Sequence, residues 1–168
     1  LFFKDIHYDQ ITSVDKFSQE IFASASDDGY VNIWDLRMGE FIKQLKVEDN
    51  ERIADIKFVN ANGSSASHSS HSSRRGQQSE LHKHLLIAHA DKISILSAKD
   101  NFTKRRTLRI GGQGLESVDE QSVLNTGDWR INQMEYNEDD MTLYLGLQQN
   151  GRGSTNTISL WNLDLSQF

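Results

Sequence analysis

Apolar residues recur along this chain in short runs separated by turn-forming residues, and no segment sustains a helical 3.6-residue period. Residues 1–6 and 11–17 predict two strands. Residues 21–25 and 30–34 flank Asp27-Asp28-Gly29, a hairpin turn whose glycine can take positive φ. Residues 41–47 alternate as a half-buried outer strand should. A second set follows at 52–59, 84–89, 92–96 and 103–110, and a third at 130–136, 142–147 and 157–162. Ile53, Ile56 and Phe58 share their spacing with Ile131, Met134 and Tyr136, which predicts equivalent inner strands. The inner-strand starts Ile11 and Ile53 lie 42 positions apart, and Ile53 and Ile131 lie 78 apart. Two insertions account for the excess. Residues 60–83, rich in Ser, His, Gly and Gln, predict a flexible loop, and residues 111–127 a second loop.

The stretch Ile21-Phe-Ala-Ser-Ala-Ser-Asp-Asp-Gly-Tyr-Val-Asn-Ile-Trp-Asp-Leu-Arg37 resembles the two middle strands of a WD-repeat blade, Leu-Ala-Ser-Gly-Ser-x-Asp-x-Thr-Val-x-Ile-Trp-Asp. His7 stands where such a repeat carries the histidine of a Gly-His pair, with Ile6 in place of the glycine, and Trp161-Asn162 is similar to a worn Trp-Asp pair. The 42-residue spacing falls within the repeat's usual window of about 40–45. The resemblance implies an all-β fold of four-stranded antiparallel blades, in units at about 7–47, 52–110 and 130–165. Three blades cannot close a ring, and the last unit stops after its third strand. The expectation is therefore the C-terminal part of a larger, seven-bladed propeller, its other blades supplied by the rest of the chain or by another polypeptide.

The resemblance also implies a buried tetrad of His7, Ser24, Asp28 and Trp34, in which Asp28 accepts from His7, His7 engages Ser24 and Ser24 accepts the indole N–H. A hydrolase would use the same residue types, but no Gly-x-Ser-x-Gly elbow or oxyanion donor set accompanies them. In the second unit Ile87 and Leu96 replace the serine and tryptophan and Asp91 alone remains, so apolar packing is expected to hold it. The third keeps Trp161. Asp35 and Arg37 are similar to the Trp-Asp-x-Arg box through which some WD proteins engage the adaptor of a cullin-based ubiquitin ligase, which implies a substrate receptor of such a ligase as an alternative function. His68, His71, His82, His84 and His89 match no zinc spacing. Gly111-Gly-Gln-Gly114 opens no predicted helix, which leaves it a loop rather than a phosphate cradle. No metal, cofactor or catalytic residue is expected. The serines of 64–73 are read as a solvated spacer or phosphorylation sites.

The net charge of −6 over 168 residues argues against direct nucleic-acid or membrane-surface binding, and zero cysteines fit a reducing cytoplasmic or nuclear compartment. Strand order sorts Asp27, Glu48, Asp49, Glu51, Asp91, Glu116, Asp119, Glu120 and Asp128 onto one face, against Arg52, Lys92, Arg130 and Arg152. That face predicts docking of a basic peptide segment, the alternative being an acidic rim that serves solubility. The functional expectation from the resemblance is a non-catalytic scaffold that holds protein subunits in a larger complex.

Overall fold

In the computed structural model, residues 6–47, 51–61, 83–110, 115–117, 129–149 and 155–167 are described. The expected strand at 1–6 apart from Ile6, the 60–83 insertion apart from its ends, and most of 111–127 lie outside them. Twelve described strands form three antiparallel sheets. Sheet one is β1 (Ile11–Lys16), β2 (Ile21–Ser26), β3 (Tyr30–Asp35) and β4 (Glu40–Lys46), paired in chain order. Sheet two runs through β5 (Ile53–Asn60), β6 (Lys83–His89), β7 (Lys92–Ser97), β8 (Arg105–Ile110) and β9 (Leu115–Ser117). Sheet three is β10 (Trp129–Asn137), β11 (Thr142–Gln149) and β12 (Asn156–Asn162). The strand β9 is a difference from expectation: within the stretch read as a loop, three residues pair with the outer strand β8.

Alternation along each strand decides how the sheets stack. Ala23, Ala25, Val31, Ile33, Leu45 and Val47 leave sheet one on one side and meet Ile53, Ile56, Leu85, Ile87 and Leu96 of sheet two. Leu86, Ala88, Ile93, Ile95 and Leu108 leave the opposite side of sheet two for Ile131, Met134, Leu143, Leu145 and Leu147 of sheet three. The middle sheet is thus covered on both faces, which is why its central strands β6 and β7 read as nearly unbroken apolar runs. The two outermost faces differ: Ile11, Val14 and Phe41 of sheet one, and Ile158 and Leu160 of sheet three, are exposed.

The first strand of each sheet carries a β-bulge at the same place, between Ile11 and Ser13, between Ile53 and Asp55, and between Ile131 and Gln133. Carboxylates stitch these inner strands together. Asp15 of β1 accepts from the Phe58 amide of β5 at 2.6 Å. Asp55 of β5, buried, accepts from Ser13 Oγ at 2.7 Å and from the Met134 amide of β10 at 2.9 Å. One side chain therefore joins all three sheets.

Candidate functional site

The hairpin between β2 and β3 turns on Gly29, at φ 81°, which frees Asp28 to point back along the sheet. Its carboxylate accepts from the Tyr8 and Tyr30 amides, each at 2.9 Å, and from His7 Nδ1 at 3.0 Å. His7 Nε2 lies 2.8 Å from Ser24 Oγ, which also accepts the Trp34 indole N–H at 2.9 Å. A single assignment satisfies the line: Nδ1–H donates to Asp28, the serine O–H donates to Nε2, and Oγ takes the indole proton. Asn32 fixes the approach of the chain by donating to the Ile6 carbonyl at 2.8 Å. Burial by itself would raise the Asp28 carboxyl, but the two amides and His7 together outweigh it and hold the group below its ordinary value. Trp34 is enclosed by Phe22, stacked at 6.0 Å, and by the edge of Phe41 at 5.5 Å.

The second sheet contains a network that the sequence reading missed, and the expectation that apolar packing alone holds this unit is corrected accordingly. His89 Nδ1 meets Glu51 at 2.7 Å, and its Nε2 meets Ser94 Oγ at 2.9 Å. Lys92 adds a 3.3 Å contact to Glu51, and His89 is 1% exposed. Burial would raise Glu51, yet His89 and Lys92 bring it below its usual value. The available signal was a histidine and a serine inside runs otherwise apolar, since buried polar groups must find partners. Asp55, in an apolar inner strand, was missed although the same signal marked it. In sheet three Leu145 occupies the register position that Ser24 holds in sheet one, and the buried Trp161 Nε1 has no hydrogen-bond partner among the described residues.

Asp35 and Arg37 form a closed pair at the end of β3. The guanidinium reaches Asp35 through Nε at 3.0 Å and Nη2 at 2.6 Å, and Glu20 through Nη1 at 3.0 Å. Arg37 holds the Asp35 carboxyl down to about 2. Local turn structure accounts for both residues without a partner.

The acidic face is not an open acidic surface among the described residues. Asp27 pairs with Arg52 at 2.8 Å, Glu51 with His89 and Lys92, and the buried Asp91 lies 3.2 Å from Arg109. Glu116 sits on β9, while Glu48, Asp49, Asp119, Glu120, Asp128 and Arg152 lie outside the described residues, as do His68, His71, His82 and Gly111 to Gly114. No group of three side chains able to hold a metal occurs among the described residues, and no helix there is long and apolar enough to cross a membrane.

Sheets of this connectivity, stacked face to face with their first strands together, have the fold of β-propeller blades. The chain is similar to the C-terminal WD40 domain of Sif2, with a TM-score of 0.50 at 12% identity over 91% of this chain. It spans about a third of that chain, 34%. No protein-family model matches the chain, and no curated protein matches it significantly.

Proposed function

We propose that the chain is a non-catalytic platform, part of a propeller that holds other proteins together in a multi-subunit assembly. One observation carries the non-catalytic half: in both His–Ser–carboxylate constellations the serine is enclosed, Ser24 at 2% and Ser94 at 0% exposure, so neither hydroxyl reaches a substrate. A nucleophile must meet its substrate, and these serines complete hydrogen-bond chains instead. The propeller fold supports the platform half, as rigid blades present loops on which binding concentrates. Further blades are proposed to cover the apolar outer faces marked by Val14 and Phe41 at one end and Ile158 and Leu160 at the other. The test is the native mass of the full-length protein isolated from its source cells. An assembly heavier than the chain, with defined subunits, is expected. A monomer with hydrolytic activity that disappears in Ser24→Ala would overturn the reading.

A further inference from the structure

Thr12, Ala54 and Asn132 are the extra residues of the three inner-strand bulges, so each is turned out of its ladder at the same point of its own sheet. All three line one cavity of about 420 Å³ where the inner strands converge. Arg52, Arg130 and Gln148 line it as well, Arg130 and Gln148 standing directly opposite each other on β10 and β11.

The donors of this cavity outnumber its free acceptors. Glu51 is the carboxylate in the lining, and it is already held by His89 and Lys92. Arg52 keeps its charge beside Asp27, a pair that uses one terminal nitrogen. Arg130 is exposed and makes no ion pair among the described residues, and neither the Asn132 nor the Gln148 amide makes a side-chain hydrogen bond there. An unpaired guanidinium flanked by two amides suits a planar or tetrahedral oxyanion, which accepts several charge-assisted bonds at once.

We propose that this cavity receives an oxyanion carried by a partner peptide, the carboxylate of an acidic side chain or the phosphate of a phosphorylated one. The charge is opposite to that expected when the acidic residues of this face are counted without their partners. The inference rests on the platform reading, for which it names the chemistry of the segment bound.

The experiment uses the full-length protein and labelled peptides: oligoglutamate, a phosphoserine peptide of the same length, and oligolysine. Binding is followed by fluorescence anisotropy. At least one acidic probe is expected to bind and oligolysine not to, with affinity falling as salt rises. Whichever acidic probe binds identifies the source of the oxyanion. Arg130→Gln removes the charge, and Asn132→Asp adds an opposing one at equal volume. Each should weaken binding by about tenfold, as loss of a charged contact does, with an unchanged melting temperature. Both positions are exposed, so the fold survives either change. Preference for oligolysine, failure of both acidic probes, or binding indifferent to both substitutions would overturn the proposal. In those cases an intact native assembly leaves the platform standing, whereas a monomeric native protein removes the platform itself.

Discussion

The first and second sheets bury the same three kinds of group, a histidine, a serine and a carboxylate, but draw them from different places. In sheet one the histidine comes from the segment before β1, the serine from β2 and the carboxylate from the β2–β3 turn. In sheet two the histidine ends β6, the serine lies on β7 and the carboxylate precedes β5. The geometry is nonetheless nearly the same, with Nε2 to serine at 2.8 and 2.9 Å and Nδ1 to carboxylate at 3.0 and 2.7 Å. What the space between sheets demands is that every enclosed polar atom be satisfied, and more than one set of positions can meet that demand. The consequences differ, because only sheet one carries the chain through to a tryptophan.

The largest expected effect tests that difference. Trp34→Ala removes an indole held between Phe22 and Phe41 and strips Ser24 of its donor, and should cost roughly 3–5 kcal/mol in chemical denaturation of the full-length protein. His89→Ala should cost less, about 2–3 kcal/mol, since it leaves Ser94 with only a 3.5 Å contact to Thr107 and Glu51 with Lys92 alone. If His89→Ala costs nothing, the two networks are alike in geometry only, and sheet two is held by its apolar faces.

The contrast also explains what the sequence made legible. Strand positions could be read because alternation along a strand is a local property. The network of sheet one could be read because its residue types stand at repeat spacing within a run that resembles a known blade. In sheet two the buried polar residues were visible within apolar runs, but their pairing was not: Glu51 and His89 lie 38 positions apart with no shared motif. Asp55 stood out as a charge in an apolar strand, but its partners could not be read, since one of them is the Met134 backbone amide, which no side-chain pattern announces. Charge counting could not show that Asp27, Glu51 and Asp91 of the acidic face have basic partners, because those partners are found only through the fold.

Acid should bring out what the two sheets share. Asp28 and Glu51 both titrate below their ordinary values when folded. A depressed folded value contributes stability above the unfolded pKa, and that stability is lost as pH falls through the folded one. Stability should therefore decline below the usual carboxylate range, near pH 4. Asp28→Asn and Glu51→Gln should each flatten this decline while costing about 1–2 kcal/mol at neutral pH, as hydrogen bonds to a charged acceptor do. A decline of unchanged steepness in both variants would place the acid sensitivity elsewhere.

The smallest expected effect comes from the third sheet, which keeps the tryptophan but has Leu145 where sheet one has Ser24. Trp161→Phe deletes a buried N–H that has no partner among the described residues, so the lost indole contacts are offset by relief of an unsatisfied donor, and the net change should stay within about 0.5 kcal/mol. Trp34→Phe deletes the same atom where it bonds Ser24 at 2.9 Å, and should cost about 2 kcal/mol more than Trp161→Phe. The two substitutions are chemically identical, so the difference between them reports the hydrogen bond together with the closer packing of Trp34. Equal costs would mean either that the Trp161 N–H has found a partner beyond the described residues or that the bond to Ser24 adds little. Leu145→Ser separates the two: by offering Trp161 the acceptor it lacks, it should make a subsequent Trp161→Phe more costly only if that indole N–H is free.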